Sequence, residues 1–315
     1  MIHAGLDLGG TKCAAVLAEV DGEAIAFLAR KEVPTQGPWQ DVMAPLLEFL
    51  RDANPVACGI SCGGPLDSRA GTILNPPNLM SFENVPIVQV VQDALHCPAR
   101  LQNDADACAL AEWRFGAGKG TQNMIFLTFG TGLGAGLILN GQLYVGAKNL
   151  AGEVGHIRLA PDGPEGYRKR GSFEGFCSGG GIAQLIEMRT GEAFTAKELA
   201  RRADSGDPQA LAVWEEIATQ FGRGLAVLVD ILNPEVIVAG SIFARAYRFL
   251  YEPAMQALRE EALPESLANF RLLPAELGDQ IGDYAAIAIG LGAALRQPPA
   301  FCGREVQGTG KINLL

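Results

Sequence analysis

Asp7-Leu8-Gly9-Gly10-Thr11-Lys12 lies between the apolar runs Ile2-His3-Ala4-Gly5-Leu6 and Cys13-Ala14-Ala15-Val16-Leu17. Thr128-Phe129-Gly130-Thr131-Gly132-Leu133-Gly134-Ala135-Gly136 lies between Met124-Ile125-Phe126-Leu127 and Leu137-Ile138-Leu139. Each stretch reads as strand, glycine turn and second strand. Each then ends at a hairpin signal, Asp21-Gly22 in one and Asn140-Gly141 in the other. Glycines let a backbone turn tightly and bring its N–H groups close to an anion. Two such turns, about 120 residues apart, point to a phosphate chain gripped from both sides of a cleft. The repetition of the whole unit points to an internal duplication, one copy per lobe.

The residues after the glycines separate this pattern from other phosphate motifs. A dinucleotide fingerprint or a P-loop opens a helix at once. Here short apolar residues run to a hairpin turn, and no GxxxxGK[ST] occurs. Gly130-x-Gly132-x-x-Ala135 fits a loose dinucleotide pattern, a weak signal alone. Two ordinary tight hairpins are the plain alternative, and the repetition argues against it.

Composition bounds the rest. A chain of 315 residues with 48% apolar and 19% charged residues builds large cores, in two domains of ordinary size. No run of eighteen apolar residues occurs, so no membrane span is expected. The first strand begins at once, without a basic or signal-like segment, which makes a cytoplasmic location the expectation. A net charge of −10 argues against nucleic acid as the main partner. The seven cysteines have no framework spacing and read as buried free thiols.

Gly116-Ala117-Gly118-Lys119-Gly120 is the clearest linker, giving an N-terminal lobe over 1–118 and a C-terminal lobe over 119–315. The first lobe reads as strands near 2–8, 12–20, 23–30, 56–61 and 98–102, with a helix near 38–52 and an extended loop over 72–80. The second reads as the glycine-turn hairpin, helices near 178–190, 195–204, 207–232 and 244–262, a buried strand over 236–240, and a helix over 283–295. The tail from Gln297 reads either as an ordered return to the first lobe or as a loose end. Strands mixed with helices in both lobes mean an α/β fold.

Asn103-Asp104-Ala105-Asp106 follows an apolar strand and opens a helix ending in Ala111-Glu112. Asn103 or Asp104 suits the helix cap. A carboxylate fixed at such a junction, pointing into an interlobe cleft, also suits a general base for a hydroxyl attacking phosphorus. Asp106, two residues on, faces elsewhere on a helix and is the poorer candidate. Glu153, His156 and Glu174 form a second polar group, suited to bonding the hydroxyls of a polyol. A structural histidine is the plain alternative for His156. Only Cys177 lies near it in sequence, too few ligands for zinc.

Over nearly its whole length the chain resembles the ROK family of sugar kinases, within the actin-like ATPase and sugar-kinase superfamily. The resemblance rests on Asp7-x-Gly9-Gly10-Thr11-Lys12, on Thr128-x-Gly130-Thr131-Gly132-x-Gly134-x-Gly136, and on Asn103-Asp104-Ala105-x-Ala107 with Ala111-Glu112. It also rests on Gly63-Gly64-Pro65-Leu66-Asp67, Asn75-Pro76-Pro77-Asn78-Leu79, Ala151-Gly152-Glu153-Val154-Gly155-His156 and Asn233-Pro234-Glu235-Val236-Ile237-Val238-Ala239-Gly240.

The resemblance implies a two-lobed, ribonuclease H-like fold with a mixed sheet flanked by helices in each lobe. It implies transfer of phosphate from ATP to a hexose or hexose derivative, at the 6-position, with Asp104 as general base. Gly9, Gly10, Thr11, Lys12, Gly130, Thr131, Gly132, Gly134 and Gly240 would hold ATP, and Asp7 would hold Mg²⁺ through water. Gly64, Asn78, Asn103, Asp104, Glu153, His156 and Glu174 would bind the sugar. A homodimer is implied as well. Two departures stand out. The family's zinc cysteines align with Glu165, Tyr167 and Ser172, so no zinc site is expected and His156 is free for a hydroxyl. Ser241 stands where many relatives continue with glycine. Only six residues precede Asp7, leaving no room for the helix-turn-helix of the family's repressors. A catalytically idle sugar-binding regulator and a kinase using polyphosphate or a cyclitol are the alternative readings.

Overall fold

The structure is a computed structural model that describes residues 1–22 and 24–294. The tail from Gln297 lies outside the described residues. The first lobe contains β1 (Ile2–Leu8), β2 (Lys12–Asp21), β3 (Ala24–Pro34), α1 (Trp39–Arg51) and β4 (Cys58–Cys62). A small ribbon of β5 (Leu66–Asp67) and β6 (Thr72–Ile73) comes next, then α2 (Ile87–Leu95), β7 (Ala99–Asn103) and α3 (Asp104–Phe115). The second lobe contains β8 (Met124–Leu127), β9 (Ala135–Leu139) and β10 (Gln142–Leu143), then the short hairpin β11 (Glu165–Gly166) and β12 (Lys169–Arg170). Helices α4 (Phe173–Phe176), α5 (Gly179–Thr190), α6 (Ala196–Asp204) and α7 (Pro208–Leu232) lead to β13 (Val236–Ala239). Last come α8 (Ile242–Arg245), α9 (Tyr247–Glu261), β14 (Arg271–Pro274) and α10 (Ile281–Ala294).

The two main sheets share one topology. Their strand orders are β3-β2-β1-β4-β7 and β10-β9-β8-β13-β14. In each, the glycine-turn hairpin and the strand after it pair antiparallel. The remaining two strands add in parallel. The duplicated sequence unit thus seeds two equivalent sheets. Both hairpin signals turn as expected: Gly22, Asn140 and Gly141 all have positive φ.

Central strands covered on both faces read as unbroken apolar runs, and β4, β8 and β13 are buried throughout. The core of the first lobe gathers Leu6, Leu46, Leu50, Ile60, Phe82 and Leu101. That of the second gathers Ile125, Phe129, Phe173, Trp214, Phe221 and Phe243. Helix α7 supplies much of it, started by an Asp207 cap before Pro208 and stopped by left-handed Asn233.

Helix α10, last in the described chain, packs on the first sheet. Its approach requires glycine, since a Cβ at Gly59 would lie 2.0 Å from the Ala286 carbonyl oxygen. Helix α3 leaves the first sheet and packs on the second, where Ala109 joins Met124, Phe126, Ile138 and Val238. The two helices also meet each other through Ala107, Ala111, Ala285 and Ile289. The floor between the lobes is therefore a pair of small-residue helices.

Three local readings need correction. The helix expected near 244–262 is two helices broken at Ala246, with φ −106° and ψ 18°. Helix α2 and strand β14 went unread. The α2 segment Ile87-Val88-Gln89-Val90-Val91 is rich in β-branched residues that favour strands. Its buried Ile87, Val91 and Leu95 nevertheless recur at helical spacing.

Candidate active site

The parallel strands of each sheet end together and face the other lobe, the place where ligands bind in open α/β sheets. Leu8 pairs with Cys62 and Cys62 with Asn103, so the first glycine turn, Gly63-Gly64 and Asp104 follow from adjacent strand ends. Leu127 pairs with Ala239, so Thr128 and Gly240 follow likewise in the second lobe.

The first turn is closed by Gly9 N–H to the Lys12 carbonyl at 3.1 Å. It is braced by the Thr35 hydroxyl donating to the Gly9 carbonyl at 2.7 Å. Gly10 packs on Asn78, and a Cβ there would lie 2.8 Å from the Asn78 carbonyl oxygen. The Lys12 ammonium is ion-paired with Glu32 at 2.8 Å. Arg30 pairs with the same Glu32 at 2.8 Å and with Asp283 of α10 at 3.0 Å. Asp7 lies behind the turn, with Gly282 of α10 close against its carboxylate. Its carboxyl is pushed up to about 6 by burial first, then by the Asp283 and Asp104 carboxylates, against the pull of Arg30 and Lys12.

The second turn spends some of its donors on itself. Gly130 N–H bonds the Gly132 carbonyl at 3.1 Å, and Gly134 N–H bonds the Thr128 hydroxyl at 3.0 Å. Leu133 N–H bonds Glu174 Oε2 at 3.0 Å. Among the described residues, these bonds leave the N–H groups of Thr131 and Gly132 for an anion. The Gly130 carbonyl accepts from Gly179 N–H at 2.8 Å, fixing the turn to the start of α5.

Asp104 is the first residue of α3, and Asn103 is the cap, accepting from Ala105 N–H at 3.0 Å. Asp104 Oδ1 accepts from the same N–H at 2.8 Å, and Oδ2 is directed toward Gly63. The surrounding protein raises its carboxyl above the usual range, and the backbone donors at the helix start pull the other way. The side chain still has an exposed surface, so water tempers that rise.

A cavity of about 540 Å³ opens beside Asp104, lined by its neighbours Asn103 and Ala105 and by Gly64. Glu153, His156 and Glu174 line the opposite wall. Expected sugar residues from both lobes are thus brought to one space. Asp104 and Asn78 are not part of its lining: Asp104 lies between the lining residues Asn103 and Ala105, and Pro77 lines the cavity while Asn78 lies against the first glycine turn. Asp106 corrects the sequence reading, because it also lines this cavity. Asn103, Ala105 and Asp106 bring the start of α3 to its wall. Asp106 is 6% exposed and accepts from Gln102 Nε2 at 2.6 Å. Burial first, then the carboxylates of Asp104 and Glu153, push its carboxyl up to about 7.

Behind the second turn, Thr128, Gly130, Gly240, Ser241 and Arg245 border another cavity of about 540 Å³. Ser241 adopts φ 52° and ψ −110°, a conformation suited to glycine. A more apolar cavity of about 640 Å³ lies on the other side of α8, between Gly179, Ala183, Trp214 and Ile242.

Among the described residues, no group of three or more His, Cys, Asp or Glu is arranged to hold a metal ion. In the 157–172 segment, Ser172 caps α4 by accepting from Gly175 N–H at 3.1 Å, and Arg170 pairs with Asp162 at 2.8 Å. Two residues to which the sequence reading gave no role, Asp283 and Glu112, shape the site from further out. Asp283 follows Gly282 at the head of an apolar helix, a visible signal for an anion near a helix start. Glu112 is fully buried and accepts from Ala117 N–H at 2.9 Å and Leu277 N–H at 3.0 Å, clamping the linker between the lobes.

Comparisons with known proteins agree with this arrangement. A ROK hexokinase structure from Thermus thermophilus superposes with a TM-score of 0.82 at 32% identity, covering 92% of this chain and 98% of that one. The N-acetylmannosamine kinase of Escherichia coli O1:K1 is 31% identical over 94% of this chain and its own full length. The structure of a ROK-family glucokinase from Streptomyces griseus, in complex with glucose and AMPPNP, matches at 28% identity with a TM-score of 0.73, covering 93% of this chain and 100% of that one. The ROK family itself matches residues 3–291. By that match over nearly the whole chain, the protein belongs to the ROK family.

Proposed function

We propose that this ATP-dependent sugar kinase transfers the γ-phosphoryl group of ATP to the 6-hydroxyl of a hexose or hexose derivative, with Asp104 as general base. The observation that supports the reading is the cavity that Glu153, His156 and Glu174 share with Asn103 and Ala105, the residues on either side of Asp104. Its raised carboxyl suits proton acceptance, because a base works best when its pKa approaches the working pH. Oδ2 takes the hydroxyl proton as that oxygen attacks phosphorus, while Oδ1 stays on Ala105 N–H.

N–H groups of Gly10, Thr11, Thr131 and Gly132 hold the phosphates, and Lys12 contributes positive potential from its place on Glu32. Gly240 and the cavities beside it take the nucleoside. Gly64, Asn103, Glu153, His156 and Glu174 bond the sugar's remaining hydroxyls, with Asn78 acting through Gly10. Asp7 fits Mg²⁺, bound through water. It is a hard oxygen donor in a crowd of carboxylates, and a cation relieves that repulsion. When bound, the ion would neutralise charge on the β- and γ-phosphates.

The test is coupled ADP release with ATP and Mg²⁺ against hexoses, N-acylhexosamines and cyclitols, with Asp104→Asn alongside. One sugar should turn over, and the variant should lose about 10²–10⁴ in kcat while remaining folded. Near-normal turnover by Asp104→Asn would remove Asp104 from the mechanism. Sugar binding without turnover of any sugar would favour the regulator.

A further inference from the structure

The β11–β12 hairpin stands at the mouth of the sugar cavity and touches both halves of its polar wall. At its tip, Tyr167 and Arg168 have φ of 43° and 64°. Left-handed backbone at a hairpin tip favours asparagine and glycine, and a bulky aromatic residue there is uncommon. Retained strain of this kind marks a side chain in use. Tyr167 is 76% exposed, yet it lines the cavity. It meets the His156 ring at 5.2 Å and 75°, edge to face.

The hairpin is firmly seated. Lys169 Nζ donates to the His156 carbonyl. Glu165 N–H donates to Gln184 Oε1 and Gln184 Nε2 donates to the Glu165 carbonyl, both at 2.9 Å. Gly166 packs on the backbone of Glu174, where a Cβ would lie 2.8 Å from the Glu174 carbonyl carbon. One end of the hairpin therefore holds His156 by ring and main chain. The other abuts the residue that links the cavity to the second glycine turn.

We infer that this hairpin is a specificity element of the sugar site. Tyr167 supplies an aromatic wall to the apolar face of a bound pyranose. Together with Lys169 it fixes the direction in which His156 presents its imidazole. Exposed aromatic area beside fixed polar groups is the usual construction of a small-molecule site. The inference rests on the cavity binding sugar, not on phosphoryl transfer.

Calorimetric titration with glucose, N-acetylmannosamine and N-acetylglucosamine tests it without turnover, with AMPPNP titrated in parallel. Tyr167→Ala should weaken the best-bound sugar about tenfold, the size of a good aromatic contact, and leave AMPPNP unchanged. Tyr167→Phe should restore the affinity. Lys169→Met should weaken the sugar too, and adding it to Tyr167→Ala should cost less than the sum, because both act through His156. Unchanged sugar affinity in Tyr167→Ala overturns the inference, as does equal weakening of AMPPNP, which marks a merely structural role. Wild-type protein that binds sugar without phosphorylating it refutes the kinase reading and leaves the hairpin's role standing. Wild-type protein that binds none of the three sugars overturns the inference and leaves the kinase reading to the wider panel.

Discussion

Asp106→Asn should make the protein more stable at alkaline pH than at acidic pH, relative to its parent. Asp106 has its folded-state carboxyl raised from 3.8 to about 7 by burial and by two neighbouring carboxylates. A raised acid keeps its proton in the folded state where the unfolded chain has already lost it. Its contribution is complete below about pH 4 and is lost as pH rises through about 7. A rise of about three units, at roughly 1.4 kcal/mol each, makes the full cost of ionising the buried group about 4 kcal/mol. Asparagine fills the same space and can still accept from Gln102 Nε2, so the comparison isolates the charge. Between about pH 5.5 and about pH 8.5 the variant should gain about 2 kcal/mol on its parent. Urea unfolding of both proteins at several pH values measures that gain directly. A stability difference that stays flat across this range would refute the reasoning, because Asp106 would then ionise like an exposed carboxylate.

Two further outcomes concern the interlobe frame. Gly59→Ala should cost about 3 kcal/mol or more, because the new Cβ meets the α10 backbone at Ala286 and cannot be relieved by a side-chain shift. Thermal unfolding reads this, and an unchanged Tm would contradict the close approach of α10 to the first sheet. Glu112→Ala leaves two half-buried N–H groups without their acceptor and should cost about 2 kcal/mol, lowering Tm by about 5 °C. Glu112→Gln should lose less, since its amide oxygen can keep one bond; equal losses would argue against the clamp.

Much of this molecule is legible in its residues, and the unread parts have identifiable physical causes. The glycine turns reveal themselves because few other sequences allow a strand to reverse around an anion. The reading of Asp104 comes from its place directly after an apolar strand and the capping Asn103. The place of Asp106 is not legible, because helical periodicity points it away from Asp104, and only the tertiary structure brings it to the cavity wall. The α10 segment Ala285-Ala286-Ile287-Ala288-Ile289-Gly290 has no polar face, which signals burial without saying against which sheet. The Lys12–Glu32 pair joins residues on adjacent strands, a register that depends on a bulge between Leu17 and Ala18. Tyr167 gains meaning only from the hairpin that brings it to His156.

Helices α3 and α10 amount to an exchange between the lobes. The first lobe sends α3 to complete the second lobe's interior, and the end of the described chain sends α10 back to complete the first. Neither half owns all of its own interior. Cut at the glycine linker, the first fragment would present bare glycine-lined strands, although the linker is where the sequence divides most cleanly. The two lobes are therefore partners in one folding event, and a rotation between them must turn on the contact between these two helices. That contact sets Ala107 and Ala111 against Ala285 and Ile289, and the Phe115 and Tyr284 rings add to it at 5.6 Å. The same helices carry Asp104 and Asp283 at their starts. Each small movement of the lobes is therefore delivered to these two carboxylates.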